Sequence, residues 1–172
     1  MGDAFPESAW GRGETRTAHV MEHVAATSAG SWLIRKAVPL DRRLLERSDG
    51  RFTILGPFGT PLLLLTTTGA RSGESRTTPL LYIADGDQLF LAASNFGQAR
   101  HPSWSTNLLA TPDATVAIGG TRLGVTAELL AGDKRLRAWD RFASKYEPYR
   151  VYVSRTERQI RVFSLRRREP AD

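Results

Sequence analysis

Two glycine-centred turns limit what this chain can fold into. Asp85-Gly86 stands between the runs 77–84 and 88–94, and Gly119-Gly120 stands between 115–118 and 121–130. A two-residue connection of this kind matches the twist of paired strands and joins only antiparallel neighbours. A further strand run, 61–68, passes from leucine to threonine between Gly59 and Gly69, and 159–165 reads as a last strand. Helical patterns interrupt the strands. Residues 101–110 open on Pro102, which suits a first helical turn. Residues 133–145 place Leu136, Trp139 and Phe142 at spacings of three, and 147–154 form a shorter helix. This order predicts an α+β fold: a barrel of mostly antiparallel strands with peripheral helices, not a doubly wound parallel sheet.

The first 50 residues read differently. Residues 1–27 are polar and irregular, and 28–47 form two short helices broken at Pro39. The chain therefore divides into a tail and helical extension, 1–50, and a barrel domain, 51–168. A length of 172 residues with 41% apolar content supports one real core. The N-terminus shows no secretory pattern, and apolar runs such as 62–65 are far too short to span a bilayer. A cytoplasmic protein is expected. Trp32, Leu33 and Leu40 beside Arg35 and Lys36 would allow peripheral attachment at the inner face of a membrane.

The absence of cysteine excludes a disulfide scaffold, thiol catalysis and thiolate metal sites. The formal charge is +6, and residues 133–169 alone carry a net +7, which reads chiefly as a solvated arginine-rich face. Between residues 52 and 99 the only basic side chains are Arg71 and Arg76. Aromatic and basic residues are not interleaved as single-strand nucleic-acid binders require, so no nucleic-acid partner is expected.

Three stretches carry candidate chemistry. In 66–79, two glycines and several hydroxyls join Arg71 and Arg76 between two strands. The guanidinium forks and backbone N–H groups could face one anion; an ordinary glycine turn with surface arginines fits the same residues. In 93–108 a strand end leads through Ser94-Asn95-Phe96-Gly97 into a helix that carries Trp104, which core packing would also explain. Tyr146, Tyr149 and Tyr152 recur every three residues and share one helical face, either lining a pocket or packing. A fourth stretch, His19-Val20-Met21-Glu22-His23, matches a zinc-protease variant. A zinc site needs a third ligand and a surrounding core, and this segment lies in a polar tail before any core element, so no metal site is expected there.

Together these stretches resemble the deazaflavin-dependent nitroreductase family, split-barrel proteins that use coenzyme F420, an 8-hydroxy-5-deazaflavin. Residues 66–73 and 76–80 are similar to its cofactor signature, 93–112 to its second and 146–160 to its third; the likeness runs from about residue 61 to 165. The resemblance implies a split β-barrel of the FMN-binding type. It implies that Arg71, Ser72 and Arg76 hold the cofactor's phosphate and acidic tail, and that Thr78, Pro79, Ser94, Asn95, Phe96, Gly97 and Trp104 flank its ring. Tyr146, Tyr149 and Tyr152 would line the acceptor side and, with Ser94, serve catalysis. The implied activity is hydride transfer from reduced F420 to a small apolar acceptor (a quinone, enone or nitro compound) by a monomer or homodimer. Asn95, Thr78 and Ser105-Thr106 depart from residues found in some relatives; the departure at Asn95 removes one possible anion contact, and that at Ser105-Thr106 leaves a less aromatic acceptor pocket. The alternatives are an FMN- or haem-binding protein of the same barrel and a non-catalytic deazaflavin carrier.

Overall fold

A computed structural model describes residues 5–6, 27, 32, 47–48 and 61–168. The chain runs β1 (Leu62–Thr68), β2 (Ser75–Leu81), β3 (Ile83–Asp85), β4 (Gln88–Ala92), a single 3-10 turn (Asn95–Gly97), α1 (Ser103–Ala110), β5 (Asp113–Ile118), β6 (Thr121–Leu129), α2 (Gly132–Lys145), α3 (Glu147–Ser154) and β7 (Val162–Arg167). Among the described residues all strand pairings are antiparallel, in the order β2-β1-β5-β6-β7-β4-β3. Of the N-terminal extension, only Trp32 and Arg47 are described in helical conformation; the rest, with the 19–23 motif, lies outside the described residues.

The strand order shows why the sheet is a barrel. β2 and β3 stand at opposite ends, yet Tyr82 alone separates them in sequence. Laid flat, seven strands would hold their outer members roughly 29 Å apart. The Cα atoms on either side of one residue are at most about 7 Å apart. The sheet therefore curls until its ends meet. The run expected as one strand over 77–84 is two strands that bend at Tyr82, whose N–H reaches the Pro61 carbonyl at 3.3 Å. The ends are joined through the chain and not by a ladder, which is the split in a split β-barrel.

The hairpin turns follow their chemistry. Gly119 and Gly120 both have positive φ, 57° and 91°, as a type I′ turn requires. Asp85 pairs with Gln88, so the first turn is Gly86-Asp87, one residue later than the sequence suggests, with Gly86 at φ 59°.

Alternation along the strands divides the core. Leu63 and Leu65 of β1, Leu89 and Leu91 of β4, and Phe163 and Leu165 of β7 fill the barrel, together with Trp104 and Leu108 from α1. Truncating one of these to alanine would cost about 2–5 kcal/mol. The opposite face of β4 and β7, with Ala92 and Val162, meets Ala138 and Phe142 of α2 and the three tyrosines. The expected apolar face of α2 is shifted. Leu136 is exposed, and Ala138, Trp139 and Phe142 make the contact. A stripe at i, i+1 and i+4 points inward as well as one at threes does, and the sheet selects between them.

Candidate cofactor-binding groove

A groove of ≈ 750 Å3 opens between the β1–β2 loop and the start of α1. Arg71, Ser72, Arg76, Thr78 and Trp104 line it, so five of the expected site residues share one space. No acidic side chain lines it among the described residues.

The loop is tight because Gly69 lacks a side chain. Its N–H bonds the Glu74 carbonyl at 2.8 Å, and its carbonyl accepts Gly73 N–H at 2.8 Å. A Cβ on Gly69 would stand 2.8 Å from Ser72 Oγ and 3.2 Å from the Glu74 carbonyl oxygen. Ser72 Oγ in turn accepts the Glu74 N–H at 3.3 Å. Arg76 Nη2 meets Glu74 Oε2 at 2.5 Å, with both side chains largely exposed. A pair of this kind is worth at most about 1 kcal/mol, so it restrains Arg76 lightly. Arg71 is exposed. Pro79 does not line the groove; it sits opposite Leu64 in β2, at a sheet end where its missing N–H does no harm.

Asn107 is the residue that sequence reasoning missed here. It is buried on α1, donates Nδ2–H to Thr67 Oγ1 at 3.0 Å, and accepts the Ala70 N–H on Oδ1 at 3.0 Å. One carboxamide thus locks the loop to the helix. It stands in the second signature stretch, but nothing local in the sequence marks it as a partner of a loop 37 residues away.

The 94–97 turn does not line this groove. Asn95, Phe96 and Gly97 are consecutively left-handed, with φ of 48°, 56° and 75°. Asn95 Nδ2 donates to the Arg100 carbonyl at 2.9 Å. Phe96 meets the Tyr152 ring edge-on at 5.8 Å. Gly97 is required by contact as well as by φ: a Cβ there would lie 2.7 Å from Arg155 Cβ and 2.9 Å from the Tyr152 carbonyl oxygen.

The three tyrosines are brought together behind that turn, each less than a tenth exposed. Tyr146 precedes α3 with an extended φ of −133°, so the face is only partly helical. Tyr149 stacks with both others at 6.2 and 5.7 Å and hydrogen-bonds the Ser94 side chain. Burial pushes the Tyr149 phenol well above its usual range, and the neighbouring phenols add to this. It therefore stays protonated, a neutral hydroxyl that can both donate and accept a hydrogen bond. Trp104 is buried in the barrel core, 5.7 Å from Phe163, with an edge on the groove.

Arg158, also missed, ties the 94–101 segment down. Nη2 donates to the Ser94 carbonyl at 2.6 Å and Nε to the Gln98 carbonyl at 2.8 Å, while Nη1 faces His101 Nδ1 at 3.2 Å. Arg161 Nη1 reaches Ser105 Oγ at 3.3 Å. Partial burial, then Arg161 and Arg158, hold the His101 pKa below its usual 6.5.

Known proteins resemble this chain in sequence and fold. The sequence model of a family described as F420H(2)-dependent quinone reductase matches residues 39–167. An F420H(2)-dependent quinone reductase of Mycobacterium tuberculosis is 39% identical over 144 residues, which cover 80% of this chain and 97% of the relative. A solved structure of an F420-H2 dependent reductase aligns at TM-score 0.56 and 38% identity, over 61% of this chain and 93% of that one. Another, described as a domain-swapped dimer, aligns at TM-score 0.59 and 33% identity over 80% and 99%.

Proposed function

The chain belongs to the F420H(2)-dependent quinone reductase family, and from that premise we propose which of its residues do the work. It is an F420H2-dependent oxidoreductase, its cofactor is coenzyme F420, and its acceptors are of the quinone type. The fit to the cofactor rests on the groove's donors: guanidinium, hydroxyl and amide groups with no carboxylate among the described residues lining it. An anionic, hydroxyl-rich cofactor suits that set.

Arg71, Arg76 and Ser72 hold the phosphate and acidic tail, with the loop's backbone fixed by Asn107. Thr78 and Trp104 lie against the cofactor on the groove side. Pro79, and the turn formed by Ser94, Asn95, Phe96 and Gly97, stand outside the groove's lining and would bound the ring only where it projects beyond the groove. Bound in reduced form, F420 supplies the hydride, and one proton completes reduction of the acceptor. Tyr149 holds Ser94 oriented, and the buried phenols of Tyr146, Tyr149 and Tyr152 provide the proton path toward an acceptor oxygen.

The observation that carries this reading is the concentration of Arg71 and Arg76 in one carboxylate-free groove. Fluorescence titration of the purified protein with F420 tests it. Saturable binding at micromolar or tighter affinity, sharply weakened in the Arg71→Ala/Arg76→Ala double variant, supports the reading; no binding by the unmutated protein refutes it.

Two arrangements belong to the same reading. We infer a homodimer, because a relative of 33% identity that the chain matches over 99% of its length forms a domain-swapped dimer; light scattering giving a monomer mass would refute this. We infer peripheral contact with anionic membranes from exposed Trp32, Leu129, Leu136 and Val153 in an arginine-rich chain. No helix among the described residues is long and apolar enough to cross a membrane. Failure to float with anionic vesicles at low salt would refute the contact.

A further inference from the structure

Arg158 lies between α3 and β7, and its fork spans three points of one turn. Two of its acceptors, the Ser94 and Gln98 carbonyls, bracket the left-handed residues Asn95 and Phe96. A side chain other than glycine held in that region costs about 1–3 kcal/mol and persists only where its surroundings force it. Arg158 supplies that force from 60 residues away.

The third contact fixes a proton. A guanidinium has donors and no acceptor, so the Arg158 Nη1 contact at 3.2 Å requires a lone pair on His101 Nδ1. The ring then carries its hydrogen on Nε2. A doubly protonated ring would oppose two N–H groups. Among the described residues, the charged groups that act on His101 are Arg161 and Arg158, both cationic and both from the stretch after α3. Each disfavours a second proton.

We propose that Arg158 is a positioning residue that clamps the 94–98 turn and holds His101 as a neutral imidazole, whose Nε2–H is a further donor to an anionic oxygen of the cofactor. The donor role rests on the groove being the F420 site; the clamp and the state of the ring do not. The clamp selects the neutral tautomer: with Nδ1 occupied as an acceptor, the one ring hydrogen stands on Nε2, the nitrogen left free to donate.

The test has two independent readouts on the full chain. Without cofactor, 15N NMR of the imidazole across pH reports the tautomer and titration midpoint of His101, assigned with His101→Leu. The expected result is an Nε2–H ring that titrates below 6.5 and moves upward in Arg158→Met. An Nδ1–H ring, or a midpoint unmoved by Arg158→Met, overturns the clamp. Should that variant not fold, Arg158→Gln serves, since a neutral amide removes the charge and cannot span three acceptors, and the midpoint must still rise. With F420, His101→Leu and Arg158→Met should each weaken binding about tenfold, and Arg158→Lys should restore only part. Unchanged affinity in His101→Leu overturns the donor role. Absence of binding by the unmutated protein refutes the groove reading, and the donor role with it, while the NMR result still decides the clamp.

Discussion

The carboxamide of Asn107 accepts the backbone N–H of Ala70 at 3.0 Å, so a helix side chain sets the shape of a loop that meets it only in three dimensions. Its other end is occupied by Thr67 Oγ1. Asn107→Leu leaves both Thr67 Oγ1 and Ala70 N–H without this partner, at about 1–3 kcal/mol for each group that stays buried. Thermal melts should show a clear loss of stability, and F420 titration a loss of affinity of at least about tenfold. Unaltered affinity in a folded variant would show that the loop holds its shape without the helix.

Glu74 competes for Arg76. Glu74→Gln removes the carboxylate from Arg76 Nη2 and one negative charge from the groove's rim. Because the pair is exposed, stability should change by less than about 1 kcal/mol. F420 affinity should rise severalfold, most at low ionic strength, where surface charges are screened least. A fall in affinity would mean that Glu74 orients Arg76 productively.

Two glycines with nearly equal φ should respond differently to alanine. Gly73 has φ +68° and open space where a Cβ would stand, whereas Gly97 has φ +75° and contacts of 2.7 and 2.9 Å at the same point. Gly73→Ala should cost about 1–2 kcal/mol, the penalty of the left-handed region alone. Gly97→Ala adds overlap with Arg155 and the Tyr152 backbone, and should exceed about 3 kcal/mol. Urea unfolding of the two variants makes the comparison; equal losses would contradict it.

Acid should destabilise the protein through His101. Its pKa is lowered in the folded state, first by burial and then by Arg161 and Arg158. The unfolded chain thus binds its proton more readily. Stability is fully present above the unfolded value of 6.5, and is lost as pH falls from there through the folded pKa. Urea melts at neutral and mildly acidic pH should show a drop that is smaller in His101→Gln. An identical drop in both proteins would place the acid sensitivity elsewhere.

Tyr149→Phe deletes the hydroxyl that meets Ser94 and leaves the stack with Tyr146, Tyr152 and Phe142 intact. Steady-state kinetics should show kcat falling about tenfold or more, the low end for loss of a proton-transfer group, with F420 affinity little changed. An equal loss in both would make the hydroxyl structural.

Much of this molecule is legible in its sequence because most of its interactions are local. The paired glycines at 119 and 120, the strand alternation and Pro102 near the start of α1 each act within a few residues. The likeness of 66–80 to a cofactor signature also brought Arg71, Ser72, Arg76 and Thr78 to one groove. Three features were not legible. The bend at Tyr82 has no turn residue to announce it, since β-forming side chains flank it on both sides. Leu136 has the right type and spacing for the core, but the sheet meets a neighbouring stripe of α2. Asn107 and Arg158 act across 37 and 60 residues, a separation at which spacing carries no signal. Pro79 has a simple place in an end strand, and the tyrosines pack against one another behind the turn.

The one-residue joint at Tyr82 has a consequence for the order of assembly. The hairpins β1–β2 and β3–β4 are consecutive in the chain, but they never pair with each other: β1 needs β5, and β4 needs β7. On a ribosome both hairpins emerge first and wait with an open edge each until the C-terminal strands arrive between them. Their partner surface is then the late-made half of the same fold, so these two hairpins carry unpaired edges longer than any other part of the sheet.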